Sequence, residues 1–391
     1  MGTRPTKPRY VVGIDLGTTN SAVAYAEISR ARKAGPRAVK IFDIPQLVAA
    51  GECAPQSLLP SSLYLPVEHD DAGGLKLPWS EDERRYAVGR FAQDQGSRIA
   101  GRLVTSAKSW LSYGGVDRTA DILPWGAEGS HKVSPVDASA RFLGHVVEAW
   151  HHRFPKSPLA RQDVGLTVPA SFDDVARTLT LEAAKRVGLE ERLVLLEEPQ
   201  AAFYDYFRQH SEALTERAEV QLVLVVDVGG GTTDLTLIKV GWSQDEEPTP
   251  VVERIAVGDH ILLGGDNMDL TLAHLAEQRI VGKTGTLDAS GMGALVQNCR
   301  GAKERLLGGD DDVPESVTVA LPSRGSRLIA GTRQCELSRS DVIETVLDGF
   351  VPAVGLDERP ARGRRSALSA WGLPYASDPA ITKHIAGFLA R

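Results

Sequence analysis

Asp15 and Asp227 stand 212 positions apart and open the same short grammar of residues. In YVVGIDLGTTNSAVAYA (10–26) an apolar run ends at Asp15, Gly17 opens a turn, and Thr18 and Thr19 follow. In VQLVLVVDVGGGTTDLTLIKV (220–240) an apolar run ends at Asp227, Gly229, Gly230 and Gly231 make the turn, and Thr232, Thr233 and Asp234 follow. A glycine turn lets backbone N–H groups approach an anion without a Cβ in the way. The threonines add hydroxyl donors. The carboxylates would repel a bare polyphosphate, and make sense with a hard cation such as Mg²⁺ between them and the phosphates. One such hairpin is an ordinary tight turn. Two with the same order of Asp, Gly and Thr fit a Mg–nucleotide triphosphate held between facing loops. Neither a G-x-x-x-x-G-K-[ST] loop nor a G-x-G-x-x-G fingerprint occurs.

The elements that must position these loops are of mixed type. Both segments read as hairpins, strand–polar tip–strand. Between them, Ser134 to Trp150 repeats apolar residues near the helical period. Val164 to Val168 reads as a strand. Ser171 and Asp174 read as a capping-box-like start of a helix with the stripe Val175, Leu179, Ala183 and Val187, ended by Gly188. Leu193 to Leu196 reads as a further strand, and Glu198–Pro199 opens another helix. Strands alternating with helices mean an α/β fold. Stretches 29–40 and 68–83 read as turn-prone. Stretches 243–250 and 308–315 read as acidic surface loops, and 355–366, with Arg359, Arg362, Arg364 and Arg365, as a solvated basic linker.

Composition narrows the function classes. The 391 residues carry 44 Lys and Arg against 51 Asp and Glu, a formal charge of −7, which leaves no broad footprint for nucleic acid. The three cysteines, Cys53, Cys299 and Cys335, are far apart and fit a reducing compartment rather than a disulfide framework. With no run of 18 apolar residues and no signal-peptide core, the expectation is a soluble cytoplasmic protein without membrane or nucleic-acid partners. The nine histidines form no metal motif, His151 and His152 point different ways on one helix, and no G-x-S-x-G nucleophile motif occurs.

Taken together the motifs resemble one family. GIDLGTTNS (13–21) and VDVGGGTTDLTL (226–237) are similar to the two phosphate loops of the actin-like ATPases, and more narrowly of the seventy-kilodalton heat-shock (DnaK-type) chaperones. VPASFDD (168–174), LEEPQAAFYDY (196–206), LLGGDNMDLTL (262–272), VTSAKSWL (104–111) and CELSRSDV (335–342) resemble further family segments, in family order. The chain is identified as a divergent, bacterial-like member of that family. The resemblance implies an actin-like, ribonuclease H-like α/β fold, two lobes around a nucleotide cleft. Lobe I would be 10–217, lobe II 218–355, and 356–391 a basic linker and terminal helix that turns back towards lobe I. It implies ATP/ADP and Mg²⁺ as cofactors. Thr18, Thr19 and Asn20 with Gly17 would contact the β- and γ-phosphates. Gly229, Gly230, Gly231 and Thr232 would wrap them from the other lobe, with Gly264 and Gly265 behind. Asp15 and Asp227 would hold the metal through water. Lys108, Glu198, Asp227 and Asp234 would serve catalysis. Read without the family, Lys108 is an exposed helix lysine and Glu198 a helix-capping acid.

The implied activity is Mg²⁺-dependent ATP hydrolysis, which in the full-length protein controls binding of unfolded polypeptide with a J-domain co-chaperone and a nucleotide exchange factor. A small-molecule kinase, a polyphosphate phosphatase or a nucleotide-binding scaffold would use the same loops. Three departures from the family stand out. Thr233 replaces a customary aromatic residue. CRGAKERLL (299–307) resembles the adenosine-binding helix, but Arg300 stands where an acid is common and Glu304 where a base is; Lys303 and Arg305 remain as ribose or base contacts. The late Gly-Gly-Ser-x-x-Arg adenosine loop is missing, which favours a piece of a longer protein over a short natural form.

Overall fold

The computed structural model describes residues 7–66, 72–80, 84–99, 101–127, 131–215, 221–243, 250–282, 287–309, 312–321, 333–361, 373 and 375–391. Residues 68–71 and 81–83 of the stretch 68–83, the centres of both acidic stretches, and Arg362, Arg364 and Arg365 of the basic stretch lie outside these residues.

In β1 (Tyr10–Leu16) buried and exposed residues alternate, so Tyr10, Val12, Ile14 and Leu16 enter the core while Asp15 faces out. It pairs antiparallel with β2 (Asn20–Glu27), the predicted first hairpin. The short strands β3 (Lys40–Ile41) and β4 (Leu59–Pro60) lie against β2, while β5 (Asp163–Val168) runs parallel to β1, and β6 (Leu193–Glu197) parallel to β5. Helix α1 (Ala107–Ser112) carries Lys108, and α2 (Pro135–Arg153) packs against α3 (Asp174–Arg186) over the sheet. The start of α2 is set by Ser134, whose Oγ accepts from the Asp137 N–H at 3.0 Å, with Pro135 at the first helical position. Trp150 of α2 is fully buried edge-on to Tyr10 and Tyr25, and its indole N–H donates to the Ser157 carbonyl at 2.8 Å. Burying a side chain of this size contributes about 3 kcal/mol. Helix α4 (Glu198–Thr215) leaves β6 directly and breaks helical geometry at His210.

The second hairpin is β7 (Gln221–Val228) with β8 (Thr233–Trp242), and β9 (Pro250–Val257) extends the sheet on the far side of β8. Helices α5 (Gly265–Val281) and α6 (Ala289–Leu306) pack on each other and on the hairpin β10 (Ser316–Leu321)–β11 (Arg333–Ser338), burying Leu272, Leu295, Cys299, Leu306 and Leu337. Helix α7 (Ile381–Leu389) packs on the second lobe, where Ile381 joins Leu263 and Phe350 and Arg391 reaches Asp259 at 2.6 Å.

Four expectations are corrected. Residues 29–40 are not merely turn-prone: a helix covers Ile28–Ala34 and a 3-10 turn Gly35–Ala38. The cap of α3 is Asp173, whose Oδ1 accepts from the Ala176 N–H at 2.7 Å; Ser171 is engaged elsewhere. Val175 faces solvent, because the buried face of α3 runs through Ala176, Leu179, Thr180, Ala183 and Ala184. The terminal helix docks on lobe II, although Leu373 ahead of it joins the first-lobe core. Among the described residues no helix is long and apolar enough to cross a membrane.

Candidate functional site

The two hairpin tips meet. A Cβ placed on Gly230 would fall 1.6 Å from Thr19 Oγ1, and one on Gly231 would fall 2.8 Å from Thr18 Cγ2 and from Ser109 Oγ. Only glycine allows that approach. Each tip is braced separately. In the first, the Ser61 N–H donates to Thr19 O at 2.8 Å and its hydroxyl to Gly17 O at 2.7 Å. Gly17 itself has no room for a Cβ, which would lie 2.1 Å from Asn20 O. In the second, Gly229 N–H closes the turn onto Thr232 O at 2.8 Å. The N-terminus of α5 then sits on it, with Gly265 N–H donating to Gly229 O at 3.0 Å and Asp266 N–H to Gly230 O at 2.7 Å. Gly264 and Gly265 therefore serve close backbone packing behind the loop. Thr233, where an aromatic residue was expected, is fully buried, and its hydroxyl donates to Leu263 O at 2.8 Å. A hydrogen bond thus ties the loop to the start of α5 in place of ring packing.

Lys108 projects from α1 to this junction and donates to Glu198 at the start of α4. Burial pushes the lysine down, but the carboxylates of Glu198, Asp15 and Asp227 together outweigh it and hold Lys108 above the ordinary lysine range, a fixed cation. Asp227 is raised, by burial and by the nearby charges of Asp234 and Asp15. It faces Asp234 directly in the β7–β8 register. Burial pushes Asp234 up, but bonds from His260 and Ser171 pull harder and hold it below the usual carboxylate range. Asp15 accepts from the Thr167 hydroxyl at 2.7 Å. Asn20 is exposed at the start of β2.

Four carboxylates thus face one lysine, an excess of negative charge that suits a divalent cation brought in with phosphates. Among the described residues no three His, Cys, Asp or Glu side chains gather closely enough to hold an ion alone, so an ion held by Asp15 and Asp227 would depend on water and phosphate oxygens. Two buried hydroxyls at the junction, Thr19 Oγ1 and Ser109 Oγ, have no hydrogen-bond partner among the described residues. A buried unpaired hydroxyl is costly, and an anion oxygen is the group that would satisfy both.

The helix expected from the sequence to meet adenosine is different. Arg300 Nε donates to Asp269 Oδ2 at 2.8 Å, and its other arm pairs with Asp266. Lys303 Nζ lies 2.7 Å from Asp269 Oδ1, a charge contact outside hydrogen-bond angles, and 3.3 Å from Gly265 O. Asp266 also accepts from Ser106 of the first lobe at 3.1 Å. Lys303 is therefore at the second phosphate loop but committed to Asp269. Arg305 is exposed, about 200° round α6 from it, and does not join the site. Ser61, Ser106, Ser109, Thr167, Ser171 and His260 were not identified from the sequence. Serine and threonine carry no spacing signal, and their partners lie far along the chain.

Two lobes, facing Gly/Thr loops and a largely covered lysine between them define an actin-like ATPase fold. A family model described as Hsp70 protein matches residues 96–313, more than half of the 391 residues. A chaperone protein HscA homolog of Pseudomonas putida is 32% identical over 324 residues, covering 78% of this chain and 43% of that protein. One of Cupriavidus taiwanensis is 31% identical over 332 residues, covering 81% and 45%. The chain belongs to the Hsp70 family, as its nucleotide-binding part, and spans less than half the length of these relatives.

Proposed function

We propose that this chain binds Mg–ATP in the cleft between its two phosphate loops and hydrolyses it to ADP and phosphate. The observation that carries this reading is the Lys108–Glu198 pair at the point where the Gly/Thr tips of both lobes touch. Backbone N–H groups of both tips, with Thr18, Thr19, Asn20 and Thr232, hold the β- and γ-phosphates. Lys108 is a point charge against the transferring phosphoryl group. Glu198, Asp227 and Asp234 orient the attacking water and balance charge. Asp15 and Asp227 would hold Mg²⁺ through water, and the ion when bound would neutralise phosphate charge. The division into lobe I (10–217), lobe II (218–355) and a tail (356–391) belongs to the same reading. Because the curated relatives are chaperones, nucleotide state in the whole protein controls its hold on unfolded polypeptide, assisted by a J-domain co-chaperone and a nucleotide exchange factor. The setting is the cytoplasm, where three separate thiols stay reduced.

The test is steady-state ATP hydrolysis with and without EDTA, together with titration of fluorescent ADP. Lys108→Ala is expected to keep nucleotide affinity within about threefold while hydrolysis falls by about two orders of magnitude or more. Equal turnover in variant and parent, or parent turnover indifferent to EDTA, overturns the assignment.

A further inference from the structure

Ser171, left free of helix capping by Asp173, belongs to the first lobe, three residues after the end of β5. Asp234 and His260 belong to the second, on β8 and in the turn after β9. The three meet across the cleft. The Ser171 hydroxyl donates to Asp234 Oδ1; His260 Nδ1 lies 3.1 Å from that same oxygen and 2.8 Å from Ser171 Oγ. We infer that Ser171 and His260 are positioning residues for ATP hydrolysis, fixing the Asp234 carboxylate when the lobes are together. The inference rests on the proposed activity.

The cluster contains the residue types of a nucleophilic triad but cannot act as one. A triad needs a histidine that meets serine through one ring nitrogen and aspartate through the other. Here both partners crowd Nδ1, and among the described residues Nε2 meets no partner. The serine proton already goes to the carboxylate, so no base is left to take it. The arrangement does what bonds to a charged acceptor do well, which is to set its orientation. Both fall on Oδ1, so rotation of the carboxylate is fixed and with it the place of its second oxygen. The imidazole is itself held edge-on by Phe172, ring centres 6.1 Å apart. Asp234 sits opposite Asp227 and within the field of Lys108, so its orientation bears on a water attacking at the loop junction. Since the serine comes from the other lobe, an open cleft loses half of this support.

The experiment measures kcat and KM for ATP, with fluorescent-ADP affinity as the check on folding, in the parent, Ser171→Ala, Ser171→Thr, His260→Ala, His260→Asn and Asp234→Ala. Asparagine keeps a donor near the Nδ1 position and threonine keeps the hydroxyl. Each alanine variant is expected to lower kcat about tenfold with KM within about threefold, and each conservative variant to recover most of that loss. In an Asp234→Ala background, adding His260→Ala is expected to change kcat by less than about twofold, since both act through one carboxylate. Parent-like kcat in the alanine variants, or thermally stable conservative variants as slow as alanine, or a full further loss in the Asp234→Ala background, overturns the inference. If an alanine variant loses ADP binding, the conservative pair and the double variant decide. A parent no faster than Lys108→Ala instead defeats the underlying activity.

Discussion

In the first lobe β1 runs between β2 and β5, and Val12 and Ile14 are 0% and 1% exposed. In the second, among the described residues, β7 pairs with β8 alone, and Leu222, Val226 and Val228 are 65%, 39% and 44% exposed. Yet the two tips present the same Asp, Gly and Thr to one cleft. The difference shows which part of a phosphate loop is demanding. On the proposed function chemistry constrains the tip, where backbone N–H groups and carboxylates would have to reach an anion and its cation. The flank needs only a brace, and the lobes use different ones: Ser61 beneath the first tip, the N-terminus of α5 on the second.

The comparison breaks most sharply at the second brace. A Cβ on Gly264 would lie 2.5 Å from Gly229 O and 2.6 Å from Gly230 O, backbone atoms that cannot rotate away. Gly264→Ala is expected to destabilise by about 3 kcal/mol and to weaken nucleotide binding. Gly229→Ala meets nothing closer than 3.5 Å and should melt like the parent. Thermal unfolding of both reads this directly, and a parent-like Gly264→Ala would show that α5 is not the brace.

The flanks themselves are compared by one substitution made twice. Val12→Thr buries an unpaired hydroxyl and is expected to cost about 2 kcal/mol. Val226→Thr, on the exposed flank, should stay within about 0.5 kcal/mol of the parent. Similar losses in urea unfolding would mean that β7 is covered as β1 is.

For base selectivity the sequence offered only second-lobe residues. Arg300 and Lys303 are tied to Asp266 and Asp269, Arg305 points away, and the family's late adenosine loop does not occur in this sequence. A wrong base is rejected when it leaves buried polar groups unpaired. With no such pocket identified among the described residues, ATP and GTP should bind within about tenfold of each other, near 1.4 kcal/mol. Competition titrations giving a much larger preference would mean that another segment rebuilds the base site.

The smallest effect is on acid stability. Bidentate bonds from Arg279 at 2.6 and 2.8 Å, aided by the Ser338 N–H, hold Asp341 below the ordinary carboxylate range despite some burial. A carboxylate depressed in the folded state stabilises above its unfolded pKa and loses that contribution as pH falls through the folded one. The parent's advantage over Asp341→Asn, at most about 1 kcal/mol for a partly exposed pair, should therefore shrink below about pH 4. An advantage that grows on acidification contradicts the pairing.

Much of this was legible in the chain. The hairpins were readable because strand alternation and a Gly turn are local signals, and α2 was readable because apolar residues recur at the helical period from Ser134 to Trp150. Read without the family, Lys108 is a surface lysine; only the family resemblance gave it a role, because its partner Glu198 is 90 residues away. Ser171 was misread as a cap for the same reason. Its true partners lie 63 and 89 positions on, and a hydroxyl beside a helix start reads equally well either way. The exposure of Val175 was missed because a four-residue spacing does not say which of two adjacent stripes faces the sheet.

Several ties between the lobes are side-chain polar bonds: Ser106 to Asp266, Ser171 to Asp234, and Arg254 of β9 to Glu197 of β6. Each exchanges its partner for water at a net of about 1 kcal/mol. Parting the lobes therefore swaps these bonds for hydration without dismantling either sheet. An open form a few kcal/mol above the closed one would be a minor population of about 0.1–10%. Lobes parting on such ties would exchange in microseconds to milliseconds, which would let the proposed nucleotide enter the cleft with both sheets intact.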